Sequence, residues 1–234
     1  MQALTGTGFL DLWERGQLLH PLDQGLLVLA DARPDASWDT LADLPLGVRN
    51  QGLAEWRSAC FGAHMDGCVA CPECGEKLEF KLNCLDLAAT GNGANQPIVV
   101  DGQAFRVPSS RDLALASREA DAAQAARLLV ERCQLKPIAE PLAWSSEQLH
   151  AVGEQMALAD PLAETRLALA CPRCGHRWDE VLDLAAFLWS EIEFRARRLL
   201  LEVHTLASAY GWSEVEILSL SDQRRALYLE MVRA

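Results

Sequence analysis

Two short stretches, CVACPECGEKLEF at residues 68–80 and LACPRCGHRWDE at residues 169–180, repeat the pattern Cys-Pro-x-Cys-Gly. When the two stretches are aligned on their cysteines, Leu78 matches Trp178, so the similarity extends beyond the thiols. Two cysteines separated by two residues can turn both sulfurs toward one cation, and the glycine that follows permits a positive φ. Each copy therefore offers half of a tetrahedral metal site.

A structural Zn²⁺ takes four ligands, so the two copies either recruit further residues or share one ion. Sharing requires no additional ligand, and strand-like sequence beside each copy is typical of the two knuckles of a zinc ribbon. Because protein would then fill all four positions, the ion would be structural, with no open position for water or substrate. The predicted zinc ligands are Cys71, Cys74, Cys171 and Cys174.

Three other interpretations of the cysteines are a redox dithiol, an iron–sulfur cluster and free thiols in the core. A thioredoxin-type motif would occur once, beside a βαβ pattern that this sequence lacks. The run Cys68-x-x-Cys71-x-x-Cys74 resembles the start of a ferredoxin motif, but the fourth cysteine followed by proline does not come at the required offset. Shared zinc is therefore the first hypothesis.

Other residues near the two motifs could also reach a metal ion. Cys68 could replace a neighbouring cysteine, and His64 or His176 could act as a ligand. The simpler interpretation makes Cys68 a small buried residue and places the histidines on the surface or just outside the ligand set. The remaining three cysteines are predicted to be core residues: Cys60, Cys84 and Cys133.

The composition limits the classes of function. Half of the 234 residues are apolar, which is enough for a substantial core, and the formal net charge of −12 disfavours a polyanionic ligand. We find no signal-peptide pattern and no long apolar run, so eight cysteines indicate reduced thiols in a cytoplasm. A protein partner is expected, without a membrane, a nucleic acid or a small-molecule substrate.

Leu and Ala dominate the chain, which predicts a mainly α fold with a small β element, the zinc ribbon, and hence the α+β class. A long C-terminal helix followed by a short helical hook completes the prediction. The predicted regions are an N-terminal helical region at 1–62, zinc-ribbon halves at 63–88 and 160–182, an insertion with a hairpin and helices at 89–159, and a C-terminal helical region at 183–234.

Local signals place several of these elements. Pro21 at a favoured first helical position predicts a helix that begins there, and Gly62 is expected to end another. Within the insertion, a Gly/Asn loop at 89–96 precedes a hairpin turning at Asp101-Gly102 and helices at about 110–134 and 145–158.

The C-terminal region carries the longest helical pattern. Apolar residues recur every three or four positions from Leu184 to Tyr210, and Gly211 is expected to end that helix. Ser213 and Glu216 form a capping-box pattern that begins the hook.

Tryptophans and arginines suggest what is buried and what is exposed. Trp56, Trp178 and Trp189 fall on apolar faces and are predicted to be core, whereas Trp212 lies at a break between helices and could anchor a partner. The candidate docking surface is Trp212, Ile217, Leu227 and Tyr228. Arginines at 195, 197, 198, 224 and 225 could contact nucleic acid, but a solvated face or pairing with acidic residues is the simpler interpretation.

No nucleophile elbow, phosphate loop, zinc-protease motif or dinucleotide fingerprint occurs in the sequence. The carboxylates are scattered, and none is placed as an acid–base pair. The sequence therefore predicts a protein that is not an enzyme.

Six segments that span most of the chain carry a family resemblance. They are HPLDQGLLVLA at 20–30, LPLGVRNQGLAEWRSACFG at 44–62, CPECG at 71–75, FRVPSSRDL at 105–113, DPLAETRLALACPRCGHRW at 160–178 and YGWSEVEILSLSDQRRALYLEMV at 210–232. These segments resemble T4-type phage baseplate and hub assembly proteins of phage-like contractile injection systems. The resemblance implies a non-enzymatic structural component or assembly factor, a chaperone or adaptor, whose partners are hub or spike subunits. Assembly would take place in the cytoplasm, and the protein could act only there or stay in the phage-tail particle.

Two alternatives of other classes stay open at this point. A zinc-ribbon regulator would bind DNA or RNA with an affinity that falls steeply with salt. A metalloenzyme would need a zinc ion with an open coordination position.

Overall fold

The computed structural model describes residues 4–89, 96–136 and 144–233. This part of the chain is mainly helical with three small antiparallel hairpins, which confirms the predicted class. The Gly/Asn loop predicted at 89–96 lies almost wholly outside the described residues. The helices of the described ranges are α1 (Gly6–Gly16), α2 (Pro21–Ala32), α3 (Trp38–Ala42), α4 (Leu46–Phe61), α5 (Cys84–Ala89), α6 (Ser110–Ala116), α7 (Ala122–Cys133), α8 (Ser146–Ala159), α9 (Leu184–Tyr210), α10 (Glu214–Ser219) and α11 (Asp222–Arg233).

Each hairpin pairs two consecutive strands in antiparallel register. Among the described residues, no helix combines the length and apolarity needed to span a membrane. The strands are β1 (His64–Ala70) with β2 (Lys77–Asn83), β3 (Ile98–Val100) with β4 (Gln103–Phe105), and β5 (Thr165–Ala170) with β6 (Arg177–Leu182).

The main core lies between α1, α2, α4 and α9. Leu29, Leu53, Trp56, Leu188 and Ile192 are all completely buried there. The buried Trp56 keeps its indole N–H satisfied by donating to Asp31 Oδ2 at 2.9 Å. The predictions that Trp56 and Trp189 are core residues are confirmed.

Helix ends follow the local sequence signals. Pro21 is the first residue of α2. Helix α4 ends before Gly62, whose φ of 91° is readily adopted by glycine but not by residues with a side chain. Gly211 ends α9 with φ 70°, and its backbone N–H donates to the carbonyl oxygen of Ala207. Ser213 and Glu216 form the predicted capping box of α10.

The insertion has a small core of its own, which includes Phe105, Cys133 and Val152. Its hairpin turns at Asp101-Gly102, as predicted, and both residues have positive φ. The single helix predicted at 110–134 is wrong. Two helices, α6 and α7, replace it, because the Asp121 carboxylate accepts the N–H groups of Ala123 and Gln124 and so begins a new helix.

The C-terminal hook folds back onto α9. Leu206 and Ile217 are fully buried and Leu229 almost so, and together they form a third small cluster. The long helix and the hook are therefore confirmed, with α10 and α11 both packed against α9.

Candidate metal centre

The two Cys-Pro-x-Cys-Gly motifs occupy the tips of two matching hairpins. In the first, the last strand pair is Ala70 with Lys77, and in the second it is Ala170 with Arg177. Six residues close each tip, at 71–76 and 171–176. The sequence repeat is therefore also a repeat in three dimensions.

Both tips fold in the same way. The N–H of Gly75 donates to the carbonyl oxygen of Cys71 at 2.9 Å, and the matching bond from Gly175 to Cys171 is 3.0 Å. Both glycines have positive φ, 73° and 75°, which a side chain would disfavour. This turn brings the two sulfurs of each motif to one side.

The four sulfurs meet across the two hairpins. Cys71 Sγ lies 3.7 Å from Cys174 Sγ, and Cys74 Sγ lies 3.6 Å from Cys171 Sγ. All four sulfur atoms lie within 4.8 Å of one another. Zn–S bonds of about 2.3 Å in a tetrahedron require sulfurs about 3.8 Å apart, so the two cross-hairpin distances match one coordination sphere.

Backbone N–H groups also point at the sulfurs. Burial raises the pKa of Cys171, but N–H groups of Cys174 and Arg173 and the neighbouring thiols lower it more, to about 7. The N–H of His176 lowers the pKa of Cys174, yet burial and the adjacent thiols raise it to about 12. These opposite shifts arise because the four thiols share hydrogen bonds, so that ionisation of one thiol disfavours ionisation of its neighbours.

Other contacts hold both hairpins on the same two helices. The Arg57 guanidinium of α4 is 3% exposed and donates to both oxygens of Glu191 on α9, at 2.8 and 2.7 Å. It also donates to the carbonyl oxygens of Gly62 and His64, where β1 begins, at 2.8 Å each. The first hairpin is therefore fixed to both α4 and α9.

The second hairpin is anchored at both of its ends. Before β5, Asp160 Oδ2 accepts the Gly47 N–H at 2.9 Å, and Asn50 Nδ2 donates to the Leu162 carbonyl oxygen at 2.8 Å. After β6, the Asp183 carboxylate caps α9 by accepting the N–H of Ala186. Because α4 and α9 hold both hairpins, the sulfurs converge although 97 and 103 residues separate the paired cysteines.

The other proposed ligands do not join the four cysteines. Cys68 is exposed, which corrects its prediction as a buried residue, because it lies on the same outward face of β1 as Asp66 and Ala70. His176 stacks on Trp178 with ring centroids 5.8 Å apart, and His64 is exposed. Among the described residues, the only cluster with metal-ligand spacing is that of Cys71, Cys74, Cys171 and Cys174.

Two of the three predicted core cysteines are fully buried. Cys84 and Cys133 are both 0% exposed, and burial raises the pKa of Cys133 to about 12. Cys60, near the end of α4, is only half-buried and packs against the edge of the main core, so the prediction that it is a core residue is corrected. These three thiols lie outside the four-cysteine cluster, and we interpret them as packing residues.

The core prediction for Trp178 is wrong. Its side chain is half-buried on β6, and its indole N–H donates to Glu180 Oε2 at 3.0 Å. A two-stranded hairpin has no second layer of its own to cover so large a ring. Trp178 therefore belongs to the surface of the second hairpin, four residues after Cys174.

The predicted docking surface also needs correction. Ile217 is 0% exposed, because it fills the small core between α9 and α11, so it cannot meet a partner. Trp212 and Tyr228 are half-buried, and their rings pack at 4.9 Å between centroids. Leu227 is 51% exposed and stays a candidate contact.

The arginine cluster is largely paired, as the simpler interpretation predicts. Arg225 is 1% exposed, and its guanidinium donates to Glu202 Oε2 and Asp222 Oδ1, both at 2.6 Å. Arg195 also pairs with Asp222, and Arg198 pairs with Glu202 at 2.8 Å. The burial of Arg225 was not predicted, since nothing in the last helix distinguishes it from the exposed Arg224.

Comparison of the chain with protein-family models, with curated proteins and with solved structures gave no match. The four-cysteine cluster is compatible with a bound metal, and its chemistry rests on the geometry described above.

Proposed function

We propose that the chain is a non-enzymatic adaptor whose two hairpins form a zinc ribbon around one structural Zn²⁺. The observation that carries the proposal is the convergence of four sulfurs from two hairpins, with cross-hairpin distances of 3.6 and 3.7 Å. Thiolate ligands favour a soft or borderline cation over Mg²⁺ or Ca²⁺, and four of them in a tetrahedron are typical of zinc. At these distances, the space between the sulfurs suits a single ion and is too small for an iron–sulfur cluster.

The ion would have a structural role because protein supplies all four ligands. Cys71 and Cys171 are nearly buried, at 2% and 3% exposure, whereas Cys74 is half-buried and Cys174 is exposed. A catalytic zinc keeps one position open for water or substrate, and this ligand set leaves none. The proposal therefore assigns the ion no chemical step.

The zinc would brace the junction of the hairpins with the helical core. β2 continues into α5 and β6 leads into α9, and Leu82, Leu87 and Leu182 from these junctions pack against the main core. A cross-link at the opposite ends of the hairpins fixes their mutual angle. Rigid placement of surface elements is what an adaptor between larger subunits requires.

The cellular context of the proposal comes from the sequence resemblance. On that resemblance, the adaptor would act in the cytoplasmic assembly of a contractile injection system or phage-tail baseplate, with hub or spike subunits as its partners. A net charge of −12 also supports protein partners over a polyanion.

The alternative, a zinc-ribbon regulator that binds nucleic acid, gains little from the arginines. Arg195, Arg197, Arg198 and Arg225 each form an ion pair with a carboxylate of the chain. Cations already neutralised in this way release few counterions from phosphates. A salt-dependent affinity for duplex or single-stranded DNA would restore this alternative.

Co-expression tests the adaptor function directly. The tagged chain is expressed together with hub and spike subunits of a contractile injection system, and complexes are isolated by affinity and size-exclusion chromatography. We expect wild type and Cys68→Ser to form a defined complex, and Cys174→Ser to lose it together with its zinc. A zinc-loaded wild-type chain that elutes free of every subunit would contradict the adaptor function.

A further inference from the structure

Two neighbouring cavities along one face of α9 carry the features of a second site, the larger bounded also by α1 and the end of α4 and the smaller by α11. A cavity of about 710 Å³ has the buried Phe9 and the half-buried Phe61 at its base and the exposed Phe194 at its edge. A second cavity, of about 340 Å³, lies between Leu201 of α9 and Leu229 of α11. Arg198 lines both cavities, so they adjoin along the helix and form one elongated depression, here called the α9–α11 groove.

One face of α9 presents apolar side chains to this groove. Phe194 is 71% exposed and Leu201 is 62% exposed. With Arg198 and Thr205 they follow the spacing of a single helical face over about 16 Å, or three turns. Large apolar side chains exposed in a row mark a contact surface, and the elongated shape suits a helix better than a compact ligand.

The charge of the groove defines the chemistry of its partner. The buried Arg225 pairs with the carboxylates of both Glu202 and Asp222. Arg198 also pairs with Glu202, and Arg195 also pairs with Asp222. Three guanidinium groups therefore meet two carboxylates, in a chain whose overall charge is −12. The other carboxylate at the larger cavity, Glu191, is held by Arg57, and the smaller cavity adds Glu230 and Arg233.

Of the three arginines that share Glu202 and Asp222, Arg198 has the most exposed side chain. Its side chain is 58% exposed, and within the described residues only its Nε has an acceptor, Glu202 Oε1 at 2.8 Å. Its terminal N–H groups form no hydrogen bond with another side chain of the described residues, so they can donate to a partner. An incoming carboxylate could accept them while an apolar neighbour enters the cavity beside Phe194.

We propose that the α9–α11 groove binds an amphipathic α-helix of a partner protein, with apolar side chains at i, i+4 and i+7 and an acidic side chain that pairs with Arg198. The inference rests on the adaptor function and names the chemistry of its partner. The apolar anchors fill the two cavities, and the charge pair fixes the direction of the helix.

Two synthetic peptides test the proposal on the intact, zinc-loaded protein. They are fluorescein-labelled helices of about 16 residues with the same leucine stripe, long enough to span three turns, and differ only in a flanking Glu or Lys. Fluorescence anisotropy should show the Glu peptide binding about tenfold more tightly than the Lys peptide. Arg198→Gln should remove this preference, and Arg198→Glu should reverse it.

Substitutions of apolar residues distinguish binding in the groove from non-specific hydrophobic binding elsewhere on the surface. Phe194→Ser should weaken binding of both peptides by roughly fivefold or more, as loss of an anchor does. Val215→Ser, which changes a residue 79% exposed on α10 and outside the groove, should leave both affinities unchanged. Thermal unfolding and zinc content are measured for every variant, so that a folding defect is recognised.

Three results would overturn the inference. The first is that neither peptide binds, and the second is that both peptides bind with equal affinity. The third is that substitutions of Phe194 and Arg198 leave the peptide affinities unchanged. A concentration-dependent dimer abolished by Phe194→Ser would assign the groove to a second copy of this chain instead. Zinc content is measured separately, so a failure of peptide binding would contradict the groove proposal without contradicting the proposed zinc site. Absence of zinc from the wild-type protein would contradict the proposed zinc-braced adaptor and not the groove.

Discussion

The four-cysteine cluster and the C-terminal hook both join separate parts of the chain, but with different chemistry. The cysteine cluster links residues 97 and 103 positions apart through sulfur atoms at the ends of two thin hairpins. The hook joins α9, α10 and α11 through a small apolar core and the buried guanidinium of Arg225. In the proposed zinc ribbon the first joint would depend on one ion, whereas the second depends on burial and charge pairing.

Because the two joints differ in chemistry, different changes are expected to destabilise them. The hairpin tips bury little apolar surface, so loss of the proposed ion would remove the main link between the tips, while the contacts with α4 and α9 would still hold the bases of the hairpins. In the hook, the apolar contacts survive the loss of any single polar group, but an unpaired buried charge is costly. Four substitutions test this contrast, in order of decreasing effect.

The largest effect is expected for Cys71→Ser. A hydroxyl is a poor zinc ligand, so the metal content should fall from one ion per chain to none, and the free energy of unfolding should fall by about 5 kcal/mol or more. Elemental mass spectrometry and urea denaturation measure the two quantities. Cys68→Ser, on the exposed face of the same hairpin, should change neither. A Cys71→Ser protein that retains its zinc would break the contrast.

Arg225→Met tests the hook. It removes the buried cation that holds Glu202 and Asp222 and should lower the free energy of unfolding by about 3 kcal/mol, without any change in zinc content. Arg224→Met is the matched control one position away, and an exposed site of this kind should change stability by less than about 0.5 kcal/mol. Equal effects of the two variants would show that the buried network is not structural.

Asp112→Asn tests a buried charge of the insertion. Burial raises the pKa of the Asp112 carboxyl, but Arg106 and Ser109 donate to it and lower the pKa from 3.8 to about 2. A lowered native pKa stabilises the folded state above the unfolded pKa, and this stabilisation is lost as pH falls from about 4 to about 2. At pH 7 the variant should be about 2 kcal/mol less stable than wild type.

Urea denaturation of both proteins between pH 7 and pH 2 measures this difference, which should shrink toward zero at the acid end. Asp39→Asn is the control, since its carboxylate is 83% exposed and its loss should change stability little. A difference that stayed constant with pH would show that Asp112 acts through packing and not through charge.

The smallest effect is expected for Glu76→Gln. Glu76 pairs with Arg173 across the two hairpin tips at 3.4 Å, but both side chains are largely exposed, at 41% and 67%. Such pairs contribute less than about 0.5 kcal/mol, so stability and zinc content should match those of wild type within error. A large loss in thermal unfolding would mean that this ion pair, and not the metal ligands, joins the tips.

The elements predicted well are those with strong local signals. Pro21, Gly62, Gly211 and the Ser213–Glu216 capping box each fix a backbone conformation regardless of tertiary context, and each helix boundary follows. The cysteine cluster was equally visible, because two copies of one motif indicate a shared geometry. Asp121 was missed as a helix start since alanines surround it and the helical pattern continues through it.

Burial in three dimensions could not be predicted for isolated residues. Trp178 and Ile217 both lie on apolar faces in the sequence, yet one remains half-exposed on a hairpin and the other fills the hook. Arg57 and Arg225 are polar in sequence and buried in the structure, because their partners Glu191 and Glu202 come from a distant helix. Long-range pairing of this kind leaves no periodic signal along the chain.

X-ray absorption spectroscopy at the zinc edge, on protein purified without added metal, tests the central claim most directly. The account predicts one zinc ion per chain with four sulfur neighbours at about 2.3 Å and no nitrogen or oxygen ligand. Absence of zinc, an open or oxygen-filled position, or a disulfide closed within each Cys-Pro-x-Cys motif would contradict it.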